Sequence, residues 1–288
     1  MLRSRLYLLA AAVLWSTAGA AVKLSTLSGW QLASGRSLVA ALVLALVIPA
    51  GRRLPSWRGL AAAVAYAATV VLFMVANKLT TSANAIFLQD TAPLYVLLLS
   101  PLLLRERPTR SELAAVPVFL LGLSLFFLDQ LAPGQMLGNV IALASGVAFA
   151  LCIMGLRAAG PEGSSVLVWG NLIAGFCVLV PALEGPAPTP LDIGLVLFLG
   201  IFQLGMAYTL FQRGLRETPA VEASLLILLE PVLNPVWTFL FAGERPGPWA
   251  LVGGAIILVA TAWRTLLGSG SRNTSEPGET PARQGAGG

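Results

Sequence analysis

Apolar residues along this chain gather into ten long stretches, at about 6–24, 30–48, 58–76, 80–103, 112–128, 136–156, 164–182, 191–211, 219–241 and 248–267. A helix crossing about 30 Å of hydrocarbon needs about 20 such residues. The pattern therefore predicts an all-α integral membrane protein with ten transmembrane helices. Short connections carry the turn punctuation, as in Ala50-Gly51-Arg52-Arg53, Leu131-Ala132-Pro133-Gly134 and Glu184-Gly185-Pro186-Ala187-Pro188. Arg3 and Arg5 ahead of the first stretch, with Ala18-Gly19-Ala20 inside it, imitate a cleaved secretory signal. The run continues to Lys23 and has a counterpart later in the chain, which favours a retained helix. From Gly268 to Gly288 no apolar residue larger than alanine or proline occurs, so this tail is expected to be disordered.

Composition fits a bilayer as the solvent. Of 288 residues, 57% are hydrophobic and 11% charged, against roughly 25% charged in a soluble domain. The mean hydropathy is +0.82. Histidine is absent, and the two cysteines lie inside apolar runs. His-based metal sites, Ser/His/Asp triads and Cys/His pairs are thereby excluded, so neither an enzyme nor a resident cofactor is expected. The formal charge of +5 could suggest nucleic acid, but the distribution of basic residues explains it as orientation. With the N-terminus inside, Arg3, Arg5, Arg52, Arg53, Arg58, Arg105, Arg107, Arg110, Arg157, Arg213, Arg216, Arg264, Arg272 and Arg283 all fall on the cytoplasmic side. Only Lys23, Lys78 and Arg245 fall outside, and Arg36 lies within a span. The positive-inside rule then places both termini in the cytoplasm of an inner-membrane protein. Trp30, Trp57, Trp249 and Trp263 sit at span ends, where an interfacial belt is expected.

The chain also repeats itself. At an offset of 138 residues Pro93 superposes on Pro231, Leu102 on Leu240, Leu113 on Leu251, and Glu106-Arg107-Pro108 on Glu244-Arg245-Pro246. Two copies of a five-helix unit, at 1–130 and 131–267, account for this. Because five is odd, the second copy crosses the membrane in the opposite sense, giving two inverted five-helix repeats. Such pseudo-symmetry lets one scaffold open alternately to either side. With TTSANAIFLQDTAPLYVLLLSPLLLRERP in one copy and LEPVLNPVWTFLFAGERP in the other, the chain resembles the EamA family of the drug/metabolite transporter superfamily. The resemblance implies a secondary transporter with the first four helices of each half around a central cavity and the fifth and tenth outside. It also implies export of amino acids or other small metabolites, with an aromatic amino-acid branch among similar proteins. Members of that family often carry an aromatic residue where this chain has Asp90.

Ionisable groups within hydrocarbon are functional candidates by default. Asp90 lies roughly 15 Å into the fourth span at about 1.5 Å per residue, between Gln89 and Thr91. It either pairs with Arg36 or lines a cavity, and the two are compatible. Glu230 and Asn234 share a face of the ninth span beside Pro231 and Pro235. Proline removes an amide donor, so that face either offers carbonyls to a ligand or is satisfied by its own side chains. Glu222 aligns with Asn84 across the repeat but lies near a mouth. Trp15, Asn77, Asn84, Tyr95, Trp169, Asn171, Gln203 and Tyr208 are further candidates for lining the cavity, and Lys78 for attracting a carboxylate at the exit. Pro93, Pro231 and Pro235 are candidate hinges, and Glu106 and Glu244 candidate gates or anchors.

The expected function is export of small metabolites, amino acids first, by alternating access; nucleosides, sugars or organic cations are the alternative cargo. A lipid-modifying enzyme fits less well, because no acid–base set clusters at one interface. Transport would run either by proton coupling through carboxylates or by facilitated diffusion. Expected partners are the bilayer and the small-molecule substrate, with no nucleic acid. The chain would act as a monomer or homodimer, with Gly122, Gly253 and Gly254 available for close packing.

Overall fold

The computed structural model describes residues 2–80, 82–128, 136–242 and 248–266, together with the backbone but not the side chains of a few positions that include Ala83 and Asn84. Every regular element described is helical: α1 (Leu2–Trp15), α2 (Ala18–Leu24), α3 (Gly29–Val47), α4 (Trp57–Leu79), α5 (Ser82–Gln89), α6 (Ala92–Leu103), α7 (Arg110–Leu128), α8 (Met136–Ala159), α9 (Gly163–Cys177), α10 (Leu179–Leu183), α11 (Pro190–Phe198), a π-helical stretch Leu199–Met206, α12 (Ala207–Leu215), α13 (Ala220–Leu226), α14 (Leu229–Ala242) and α15 (Pro248–Leu266). Taken as α1–α2, α3, α4, α5–α6, α7, α8, α9–α10, α11–α12, α13–α14 and α15, they fill the ten predicted spans. Helix is the form expected here, because in lipid each backbone N–H must find its carbonyl within the segment. The Glu244 position and the 268–288 tail lie outside the described residues.

Side-chain caps hold the starts of three spans. Ser28 and Gln31 form a reciprocal capping box at the start of α3, and Thr189 and Asp192 form one at the start of α11. Ser56 Oγ accepts from Gly59 N at the start of α4. The outer surface is apolar: Leu42, Val47, Leu98, Leu102, Val180, Leu183 and Val259 are all exposed. A surface of this kind is wetted by acyl chains rather than water. Trp30, Trp57, Trp249 and Trp263 are exposed as well.

Packing pairs exchange when the two halves are swapped. The first span packs on the eighth through α1 and α12, as the sixth packs on the third through α8 and α4. The fourth packs on the sixth (α5 and α6 on α8), as the ninth packs on the first (α13 and α14 on α1, α14 on α2). Three pairs map onto themselves: α3 with α9, α6 with α13, and α7 with α15. In the last of these Gly122 lies so close to α15 that a Cβ would press on Ile257 and the Gly253 carbonyl. The small residues of the fifth and tenth spans thus pack against each other within one chain.

Three spans are interrupted near mid-length. The first breaks at Ser16–Thr17, the fourth at Asp90–Thr91 and the ninth at Ile227–Leu228. Proline explains two of the breaks. Pro93 and Pro231 cannot donate to the carbonyls four residues back, so the chain tightens instead: Leu94 N donates to Thr91 O at 3.0 Å and Glu230 N to Ile227 O at 2.9 Å. At the fourth-span break Gly146 of α8 approaches the Leu88 and Gln89 carbonyls so closely that a Cβ would sit 2.9 Å from each. Discontinuous helices of this kind mark binding sites in many transporters, because they bring free backbone groups to mid-membrane.

Candidate functional site

The breaks surround a small buried space lined by Trp15, Arg36, Thr69, Val70, Phe73, Gln89, Phe149, Gln203, Leu204, Tyr208 and Glu230. Its volume is about 20 Å³, room for about one water molecule, against roughly 300–1,000 Å³ in an ordinary small-molecule pocket. One wall is aromatic. Trp15 packs on Tyr208 with ring centroids 4.7 Å apart, on Phe211 at 5.0 Å and on Phe149 at 5.7 Å. Tyr208 meets Tyr66 edge-on at 4.5 Å. Asn171 Nδ2 donates to Tyr66 Oη at 2.9 Å and to Leu167 O at 2.8 Å, holding that ring from behind.

The other wall is polar. Arg36 is 1% exposed. Its Nη1 donates to Gln203 Oε1 at 2.8 Å and its Nη2 to Val70 O at 2.9 Å, while its Nε has no hydrogen-bond partner. No ion pair joins it to Asp90, so the expected Arg36–Asp90 pairing is corrected: the guanidinium sits on a neutral amide and a backbone carbonyl. Its two bonds run to the eighth span and the third, while Gln89 of the fourth span shares the cavity lining. Gln203 reaches Arg36 from the π-helical stretch, a form frequently found at functional sites. Glu230 shares the cavity wall with Arg36. Asp90 is buried at the fourth-span break, next to the cavity-lining Gln89, with Oδ2 unpartnered.

Other sequence candidates fall elsewhere. Trp169 Nε1 donates to Arg53 O at 3.0 Å near the start of α4. Asn77 Nδ2 donates to its own helix at Phe73 O, and Thr91 Oγ1 to Leu88 O. Tyr95 packs against the core cluster. Asn234 is buried with Oδ1 unpartnered, against Gly19, where a Cβ would collide with its amide. The side chain of Asn84 lies outside the described residues. Tyr66, Thr69, Phe73 and Phe149 were missed, since an aromatic residue or threonine inside an apolar run carries no signal that distinguishes cavity from lipid.

Contacts close both ends of the bundle. At the face that carries the N-terminus, Arg5 Nη2 pairs with Glu222 Oε1 at 2.6 Å, and Ser4 Oγ donates to Glu217 Oε2. Arg157 Nε pairs with Glu106 Oε1 at 2.8 Å, and Arg157 Nη1 also donates to the Leu215 and Arg216 carbonyls. Glu106 Oε2 accepts from Ala220 N, the first residue of α13, at 3.1 Å. Arg105, in the left-handed region at φ 57°, ends α6 and turns the chain toward Glu106. On the same face Glu162 accepts from Ser56 N and Ser56 Oγ, which hold its carboxyl below the usual carboxylate range.

At the far face Asp192 Oδ1 accepts from Ser25 Oγ at 2.7 Å and Thr26 N at 2.9 Å, and Oδ2 from Thr26 Oγ1 at 2.8 Å and Thr189 Oγ1 at 2.6 Å. Lys78 Nζ donates to the Val22 and Ser25 carbonyls, capping the C-terminal end of α2. This gives Lys78 a structural anchor at the end where an exit role was expected.

Interrupted spans converging on a buried, half-aromatic and half-polar space between two closed faces define the class: a multi-pass membrane transporter. The EamA-like transporter family matches this chain twice, over residues 2–128 and 133–266, and the chain belongs to it. The uncharacterized transporter YwfM of Bacillus subtilis is 29% identical over 271 residues, covering 88% of this chain and 90% of its own length. A probable terminal-alkyne amino-acid exporter of Streptantibioticus cattleyicolor is 25% identical over 283 residues, covering 92% and 95%. A solved crystal structure shares the fold, with a TM-score of 0.75 at 20% identity over 92% of this chain and 97% of that one.

Proposed function

We propose that this protein exports small metabolites, amino acids foremost, across the inner membrane by alternating access between two inverted five-helix halves with both termini in the cytoplasm. One observation carries the reading. Three spans break at the depth where Trp15, Gln89, Gln203 and Glu230 meet, and the contacts that close the two faces join one half to the other. A cavity of about 20 Å³ belongs to a closed state, and opening one face at a time would admit cargo from one side only. Pro93 and Pro231 are the flexing points, with Pro235 a third within α14. The amino-acid exporter among the relatives supports the choice of cargo. Glu230 and Asp90 are the carboxylates that could carry a coupled proton.

The test is counterflow in proteoliposomes with labelled Trp, Phe, Thr, Ala and Lys at matched pH. Saturable exchange of a subset is expected, and aromatic preference would match the Trp15–Tyr208 wall. No exchange by folded protein would remove amino acids as cargo and turn the search to nucleosides, sugars and organic cations. Asp90→Asn and Glu230→Gln then test coupling: pH dependence that survives in both variants would remove both acids from it.

A further inference from the structure

Arg36 is the one buried arginine in the cavity wall, and although Glu230 shares that wall, no carboxylate is hydrogen-bonded to the guanidinium among the described residues. Among the described residues both of its hydrogen bonds go to neutral acceptors, Gln203 Oε1 and Val70 O, and its Nε–H is buried without an acceptor. A guanidinium deep in a span is costly to keep without a partner. A cheaper residue would serve if packing alone were required.

The surrounding backbone is instead arranged to hold it. Gly200 of the π-helical stretch lies so close to α3 that a Cβ would sit 2.7 Å from the Arg36 carbonyl and press on Val39. That close approach sets Gln203, three residues on, beside the guanidinium. Two neutral acceptors orient the plane and leave its Nε edge uncommitted, and a planar fork of N–H donors matches the two oxygens of a carboxylate.

We infer that Arg36 is the receptor for a carboxylate on the transported molecule, with Gln203 and the Val70 carbonyl as positioning groups. The inference rests on the transporter reading and deepens it. It selects monocarboxylates over phosphates, since Arg36 is the single cation lining the space, beside the acids Glu230 and Asp90, and a dianion would need a second positive charge. It also places the cargo's apolar part against Trp15, Phe149 and Tyr208.

The experiment is the same counterflow assay, using whichever amino acid the protein exchanges and three competitors: that amino acid, its carboxamide, and the amine lacking the carboxyl group. The unaltered protein should be inhibited by the first about tenfold or more better than by the other two, the discrimination expected when one charge-assisted contact is lost. Arg36→Gln should abolish exchange and Arg36→Lys retain part of it. Gln203→Ala should raise the half-saturation concentration more than it lowers the maximal rate.

Equal inhibition by carboxamide and amino acid overturns the inference and leaves transport standing, as does full exchange by Arg36→Gln. Should Arg36→Gln fail to fold, the competitor series on the unaltered protein decides alone. Absence of exchange by the unaltered protein overturns the amino-acid reading and the inference with it.

Discussion

The two faces of the bundle are closed by different chemistry. The N-terminal face uses opposite charges in pairs, Arg5 with Glu222 and Arg157 with Glu106. The far face uses one carboxylate, Asp192, ringed by hydroxyl and amide donors from Ser25, Thr26 and Thr189. Both join first-half elements to second-half elements. They differ in what weakens them: ion pairs respond to salt and to loss of either charge, whereas a carboxylate caged by neutral donors depends on geometry. Even the N-terminal face is divided, since the side chains of Arg5 and Glu222 are 4% and 2% exposed and those of Arg157 and Glu106 22% and 26%.

The largest effect is expected from Glu222→Ala, which removes the carboxylate from a buried ion pair; loss of one member of such a pair costs about 3–5 kcal/mol. Thermal melting in detergent should fall sharply, and Arg5→Met with Glu222→Leu together should restore much of it. An unchanged melt for the single variant would show that this pair does not hold the face. Asp192→Asn comes next, because the amide accepts at one oxygen only and loses the charge that strengthened each bond. It should lower the melting point less than Glu222→Ala does, with no added sensitivity to salt, and salt-dependent melting confined to this variant would contradict the contrast drawn between the faces.

Glu106→Gln should cost about 1 kcal/mol or less, given its partial exposure. Raising ionic strength from about 0.1 M to 1 M shortens the screening length from about 10 Å to 3 Å, and should reproduce most of that loss in the unaltered protein. Smallest of all is the Ser56–Glu162 contact. Its carboxyl is held below the ordinary range, so its contribution is complete above the unfolded value of about 4.3 and fades as pH falls below that. Ser56→Ala should abolish this acid-side component of a pH–stability profile, and a profile of unchanged shape would exclude the contact as its source.

Some of the site could be read directly. Pro93 and Pro231 flagged the breaks because a missing amide is a local fact, and Glu230 and Gln203 stood out as polar groups in apolar runs. Glu106 was singled out by the repeat, though its partner Arg157 lies 51 positions away and nothing in the sequence connects them. Lys78 and Trp169 bond to backbone carbonyls away from the small space, for reach along a helix says how deep a side chain lies but not which neighbour it faces. The π-helical stretch left no mark on the sequence, although Gly200 within it lies against α3.

By itself, then, the sequence determined what depends on local hydrophobicity, charge and backbone chemistry: ten spans, the proline breaks and the doubling of a five-helix unit. Only the tertiary structure decided which groups meet. Arg36 faces Gln203 instead of Asp90, and the two ends close by different means, because the rotation and close approach of packed helices are set by side chains far apart in the chain.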